Sequence, residues 1–320
     1  MKVGVIGLGV MGKNHARVLS SMESVSEVVL FDPFAEEIGL VHGIKVQSKL
    51  DDFLQSGLDY CVVSSPTITH LEIGLKLAEL KIPTLMEKPL ASSQSEGKKL
   101  VEAFHSSGVT AAVGHVERFN PAILAMKDKL SEGLLGELYQ ITTRRVGPYS
   151  GRISDVGVVK DLASHDIDLV TWLSGSRYDS LDSRTLRPLG KGHEDIFLGI
   201  GTLANGVLVS HLVNWVSPTK ERITSILGEH GMLVADTLSV DLYFFEKGSQ
   251  SINWDRMSLL KGSSEGATHK FELEKNEPLV NEHLAFQGAI SGGGNLNGAS
   301  SFEEGLGVLE IADLILGDKK

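Results

Sequence analysis

The sequence predicts an α/β domain with a doubly wound parallel sheet over residues 1–120, followed by an α+β domain over 121–320. Three observations predict it. Up to residue 120, short and almost wholly apolar strands alternate with helical patterns. Beyond Pro121 the strands alternate polar with apolar residues at hairpin spacing. A chain of 320 residues also suits two domains, at roughly 100–200 residues each.

In the first part the predicted strands are KVGVIGLG (2–9), EVVLFDP (27–33), IKVQS (44–48), DYCVVSS (59–65), PTLMEKP (83–89) and TAAVGHVERF (110–119). Helices are predicted near 11–21, 67–81 and 92–107, the last opening on Ser92-Ser93-Gln94-Ser95-Glu96. Strands joined by helices imply parallel pairing through right-handed crossovers. In the second part a helix (121–132) leads to the strand GELYQITTRRVGP, and another helix is predicted over 160–173. Five strands follow, HEDIFLGIGTLANG, GVLVSHLVNW, ERITSILGEHG, MLVADTLSV and DLYFFEKG, punctuated by turns such as Asn205-Gly206. They predict an antiparallel sheet with helices on one face. The segments GSQS, GSSEGAT and SGGGNLNGAS read as loops, and a last helix is predicted over 302–316.

Composition narrows the function. The formal net charge of −11 opposes non-specific nucleic-acid binding, which relies on Lys and Arg to neutralise phosphates. No apolar run approaches the ~18 residues that cross a bilayer, and the N-terminus enters a strand pattern at once, unlike a signal peptide. The single cysteine, Cys61, in the apolar setting DYCVVSS, is expected in the core and suits a reducing, cytoplasmic location.

Gly7-Leu8-Gly9-Val10-Met11-Gly12 places G-x-G-x-x-G between the first strand and a helix. Gly7 permits the tight turn, Gly9 lets a pyrophosphate approach the backbone, and Gly12 lets the helix pack on the sheet. Asp32 ends the second strand, where its carboxylate can accept both ribose hydroxyls and repel a 2′-phosphate. The pattern predicts NAD in preference to NADP. Further cofactor contacts are expected at the carboxyl ends of later strands, from Ser64, Ser65, Pro66 and Thr67 and from Glu87 and Lys88. His70, one turn into the next helix, faces either the cleft or the surface.

Two constellations carry chemistry. Lys88 ends an apolar strand and is followed by Pro89, which restricts its backbone; the bland alternative is a rim pair with Glu87. Asp161 and His165 stand four apart on one predicted helix face, where an aspartate can fix the tautomer of a general base. A surface ion pair is the plainer reading of that spacing, and no third ligand at metal spacing suggests zinc.

Gly-x-Gly-x-x-Gly at 7–12, EKP at 87–89 and D-x-x-x-H at 161–165 together resemble the glucose–fructose oxidoreductase / inositol dehydrogenase (Gfo/Idh/MocA) family, as does the late LVNEHLAFQGAISGG. The resemblance implies a Rossmann domain, then an α/β domain whose large, mostly antiparallel sheet forms a homodimer or homotetramer interface. It implies a cis Lys88–Pro89 bond and NAD(P)-dependent oxidation of a sugar or cyclitol carbinol. Lys88 matches the catalytic lysine, Asp161 the aspartate and His165 the histidine. His165 is then expected to take the hydroxyl proton, Lys88 to hydrogen-bond the same oxygen, and Asp161 to hold His165. GHVERFNPAI (114–123) and the stretch 144–169 resemble the UDP-N-acetylglucosamine 3-dehydrogenase branch. Arg118, Arg144, Arg145 and Arg152 are candidates for a diphosphate, with at most one of the adjacent pair reaching it, or else they pair with Glu117, Asp155 and Asp161. His115, Glu117 and Asn120 either bind sugar hydroxyls or fix the hinge. The alternatives are a dehydrogenase of a free polyol, such as myo-inositol or glucose, and a non-catalytic NAD-binding regulator.

Overall fold

The computed structural model describes residues 1–149, 151, 156–248 and 266–317. The chain forms two compact units, 1–119 with Glu277–Ile311, and Asn120–Asn276 with the residues from Ala312 onward. The sequence reading assigns all of 121–320 to one domain, whereas the chain returns to the first unit at Glu277.

The first unit is built on β1 (Lys2–Ile6), β2 (Glu27–Phe31), β3 (Leu40–Val41), β4 (Ile44–Gln47), β5 (Tyr60–Val63), β6 (Thr84–Glu87) and β7 (Ala111–Gly114), in the order β3-β4-β2-β1-β5-β6-β7. All pairings are parallel except β3 with β4. Val3, Val5, Tyr60, Val62, Leu85 and Ala112 face one side, packing with α1 (Val10–Ser21) and α8 (Pro278–Ser291). Ile6, Cys61, Val63, Met86 and Val113 face the other, with α3 (Leu50–Leu54), α4 (His70–Glu79), α5 (Gln94–Ser107) and α9 (Phe302–Leu316). This is the alternation a sheet covered on both faces demands. Cys61 lies in that core, where burial raises its thiol pKa. The Ser-rich start of α5 works as a cap: Ser93 accepts the Glu96 N–H, and Glu96 reaches back to the Ser92 N–H at 3.2 Å.

Register places the functional edge. Phe31, Ile6, Val63, Met86 and Val113 stand side by side at the carboxyl ends of their strands. The next residue of each strand is therefore Asp32, Gly7, Ser64, Glu87 and Gly114, so five separated segments emerge in one row.

In the second unit, α6 (Pro121–Ser131) precedes β8 (Leu138–Val146). A π-helical turn (Val159–Ala163) then runs into α7 (Ser164–Ser174), where one α-helix was expected. The strands β9 (Tyr178–Leu186), β10 (Ile196–Leu203), β11 (Leu208–Asn214), β12 (Glu221–Gly228), β13 (Gly231–Asp236), β14 (Asp241–Glu246) and β15 (Thr268–Phe271) complete an eight-stranded sheet, order β15-β14-β13-β12-β8-β11-β10-β9. Among the described residues only β8 and β11 of this sheet pair in parallel. α6 and α7 cover one face around Ile141, Val209, Ile226 and Leu233. The opposite face leaves Leu198, Ile200 and Leu208 exposed. The expected loops 248–251 and 262–268 fall largely outside the described residues. Among the described residues no helix is long and apolar enough to cross a membrane.

Beneath this sheet His211 on β11 bonds Thr143 Oγ1 and the Tyr178 hydroxyl, each at 2.7 Å. Burial lowers its imidazole pKa from 6.5 to about 4. The unfolded chain thus binds this proton at a pH where the native fold refuses it. His211's contribution is complete above pH 6.5 and declines as pH falls toward 4, on the order of 3 kcal/mol across the window. Urea melts of wild type and His211→Gln from pH 7 to 4 check this: the variant is expected to show a shallower loss of stability.

Candidate active site

The three glycines of the first turn have different jobs. Gly7 has φ +84°, and a side chain there would strike the Ser65 backbone. A methyl on Gly12 would collide with the Gly7 carbonyl oxygen. Gly9 has neither constraint: its φ is −66° and a Cβ would meet nothing within 4 Å. The fold therefore needs glycine at 7 and 12, whereas the open space at 9 is room for a ligand. No side chain caps the N-terminus of α1, leaving the donors of Val10 and its neighbours for an anion. Asp32, buried, accepts the Leu8 N–H at 2.8 Å and the Phe34 N–H at 2.9 Å, which locks the carboxylate beside the glycine turn. Val10 is exposed and Met11 half-buried at the same turn. A close-approach glycine, an uncapped helix start and a fixed acid fit the pyrophosphate and ribose of NAD.

Ser64 Oγ donates to the carbonyls of Ile6 and Gly7, bracing the turn from the neighbouring strand. Ser65 and Thr69 share a hydroxyl bond of 2.7 Å around the short 3₁₀ turn that begins at Thr67, and Pro66 is exposed at its start. His70 does not face the surface. It is buried, with Nε2 3.0 Å from the Ser65 carbonyl and Nδ1 3.1 Å from that of Pro89. Burial lowers its pKa against the pull of these carbonyls, and the ring ties the Ser65–Thr67 segment to the Pro89–Leu90 segment.

Those ties frame Lys88. The Lys88–Pro89 bond is cis, as the resemblance implied. Glu87, buried, turns its carboxylate away to His15 Nε2 of α1 at 2.9 Å, and its second oxygen accepts the Lys88 N–H at 3.2 Å. Burial works to raise the Glu87 pKa, but the hydrogen bond from His15, with the charge and N–H of Lys88, brings it below the ordinary carboxylate value. Glu87 thus holds the backbone that carries Lys88, while Lys88 itself is only half-buried.

In the second unit Asp161 lies in the π-helical turn and His165 in the first turn of α7, both half-buried. π-turns concentrate at functional positions. Glu194, a residue the sequence did not single out, fixes where this helix starts. Its carbonyl accepts the Val158 N–H at 2.9 Å and its carboxylate the Val159 N–H at 3.0 Å. Lys160, next to Asp161, pairs with Asp313 at 3.1 Å.

The described arginines have acceptors within the fold. Arg118 is fully buried and donates to Glu304 at 3.2 Å and to the Gly298 carbonyl at 3.3 Å. A guanidinium removed from water needs internal acceptors, so it staples the β7–α6 connection to the start of α9. Arg145 is buried in a 2.7 Å pair with Asp166, and Arg144, on the other side of β8, pairs with Glu221 at the surface. Asn120 caps α6 through the Ala122 N–H and donates to the Thr237 carbonyl. His115 is buried just beyond β7. Arg152 lies outside the described residues.

A model of the oxidoreductase family with an NAD-binding Rossmann fold matches residues 1–115, and the GFO/IDH/MocA C-terminal domain matches 123–234. The chain belongs to the Gfo/Idh/MocA family. It is 32% identical over 224 residues to inositol 2-dehydrogenase 2 of Saccharopolyspora erythraea, the match spanning 65% of each chain. It is 25% identical over 256 residues to the UDP-N-acetylglucosamine 3-dehydrogenase of Acidithiobacillus ferrooxidans, spanning 79% of each. The solved structure of that dehydrogenase superposes with a TM-score of 0.84 at 23% identity, over 98% of this chain and 96% of that one. A levoglucosan dehydrogenase complex with NADH gives 0.83 at 20%, over 99% and 96%. At these identities the structures establish the shared fold. Residues 1–115 thus match the family's NAD-binding Rossmann fold.

The glycine geometry has a direct test. Gly9→Ala is expected to fold normally but bind NAD at least about tenfold more weakly, by titration calorimetry. Gly12→Ala is expected to lose about 1–3 kcal/mol of stability, seen as a lowered urea midpoint.

Proposed function

We propose that the protein is an NAD-dependent dehydrogenase that oxidises a ring carbinol of a sugar to a ketone. The observation that carries the reading is Lys88, held at the carboxyl end of β6 by Glu87 and His70, in the same strand-end row as the glycine turn and Asp32. NAD, when bound, supplies the hydride acceptor. Gly7, Leu8, Gly9, Val10, Met11 and Gly12 would receive its pyrophosphate, Asp32 its ribose, and the Ser65–Thr67 segment would border it. His165 removes the hydroxyl proton, Lys88 donates a hydrogen bond to the same oxygen as negative charge develops, and Asp161 holds His165. A regulator that only binds NAD has no need of that trio.

His165→Ala is expected to lower kcat by ~10²–10⁴ while NAD affinity stays unchanged. Steady-state absorbance of the reduced nicotinamide and calorimetry check the two halves. Unchanged turnover would remove His165 from the mechanism.

For the substrate, the reading is a nucleotide sugar of the UDP-N-acetylglucosamine type. It is supported by the resemblance at 114–123 and 144–169 and by the relative matched over 79% of the chain. A free cyclitol is the second reading, favoured by the commitment of Arg118 and Arg145 to Glu304 and Asp166 and by the inositol dehydrogenase relative. Turnover with UDP-linked but not free sugars supports the first. Turnover with free polyols alone selects the second, and silence across the panel favours a regulator.

The apolar outer face of the second sheet supports a homodimer or homotetramer formed through it. Ile200→Asp combined with Leu208→Asp is expected to shift the mass measured by light scattering to that of the monomer.

A further inference from the structure

Behind Glu87 runs a line of polar groups sealed inside the first unit. His15 Nδ1 is 2.9 Å from His283 Nε2, His283 Nδ1 is 3.1 Å from the Tyr60 hydroxyl, and Gln287 Nε2 is 3.2 Å from that hydroxyl. His15 and His283 have no exposure, nor does Tyr60. The members come from α1, α8 and β5, and the two histidines are 268 residues apart in sequence.

The partners dictate a direction. The Gln287 amide nitrogen can only donate, so the Tyr60 oxygen accepts there and its own proton goes to His283 Nδ1. Burial, aided by the charge of Glu282, keeps the Tyr60 hydroxyl protonated despite the Gln287 bond. Burial holds His283 well below the usual imidazole pKa, hence neutral, and since its Nδ1 accepts from Tyr60 its single proton is on Nε2. His15 then accepts at Nδ1 and donates from Nε2 to Glu87, an acceptor only. Each group has one place for each proton, and every donor points toward the carboxylate.

We propose that Gln287, Tyr60, His283 and His15 form a directed hydrogen-bond chain that holds the Glu87 carboxylate against the Lys88 amide. His283 is thereby a positioning residue for Lys88, an inference that rests on the role of Lys88 given above. Aligned donors polarise one another and strengthen the last bond, the one to Glu87. Cutting the chain at His283 leaves the buried His15 Nδ1 and Tyr60 hydroxyl without that partner. Glu87 then loses its fixed orientation, and with it the strand end that presents Lys88. The glycine turn and Asp32 make none of these bonds.

Two measurements test the chain. In the full chain labelled with ¹⁵N at histidine, long-range proton–nitrogen correlation at neutral pH is expected to show the ring proton of both His15 and His283 on Nε2. His15→Gln and His283→Gln assign the signals. A proton on Nδ1 of either ring, alone or in addition, overturns the direction. With a sugar that wild type oxidises, His283→Ala is expected to lower kcat about 10–10²-fold with NAD affinity within about twofold. His283→Gln, which keeps an N–H toward His15, is expected to restore most of the rate. Wild-type kcat in a folded His283→Ala variant overturns the positioning role, as does a parallel loss of NAD affinity. If His283→Ala fails to fold, Tyr60→Phe decides: a lowered kcat supports the chain and an unchanged one overturns it. A wild-type spectrum as expected, without turnover on any sugar, contradicts the dehydrogenase reading and leaves the chain intact.

Discussion

A carboxylate buried at the end of a parallel strand is the constraint around which the first unit is organised. Glu87 has almost no access to water, and an isolated ion there would cost several kcal/mol. It is tolerated because His15 and the Lys88 N–H take its two oxygens. These partners explain other features. His15 stands one helical turn after the glycine turn, so the nucleotide-binding element and the lysine-bearing strand share a bond. α8 must return from the far end of the sequence, since His283 and Gln287 continue the line that Glu87 terminates. That return is why the first unit is discontinuous.

The second unit solves a parallel problem with a carboxylate outside the helix. Glu194 receives the first N–H groups of the helical segment that carries Asp161 and His165, and the Arg145–Asp166 pair anchors the residue after His165 to the sheet. A methyl on Gly157 would collide with the Glu194 carboxylate, so the chain approaches there with a residue that has no side chain. Each proposed reactive side chain is therefore half-open, while its backbone is held by buried charge. Rigid support beneath an accessible group is what precise positioning requires.

Much of this was legible in the sequence where one residue type answers one local demand. The strand–helix alternation, the glycine turn, Asp32 and the Lys88-Pro89 ending each arise from backbone geometry within a few residues. β9 escaped notice because YDSLDSRTL is a polar strand at a sheet edge, with little apolar alternation, and β15 is a four-residue edge strand. The partners of the arginines were hidden for a related reason. Arg118 and Arg145 suit a diphosphate by chemistry, but their acceptors, Glu304 and Asp166, are brought to them only by tertiary folding. The histidine chain was hidden by the same distance: His15 looks like an ordinary helix residue until α8 places His283 against it.

The most direct measurement is the titration of Glu87 itself. ¹³C NMR of the full chain labelled at glutamate carboxyl carbons, compared with Glu87→Gln, isolates its signal as the one the variant lacks. This carbon is expected to keep its ionised chemical shift as the pH is lowered through about 4.3, where ordinary glutamates protonate. A signal that moves to the protonated position at or above that pH would contradict it. Glu87 would then be a buried neutral acid, and neither His15 nor Lys88 would be held as described.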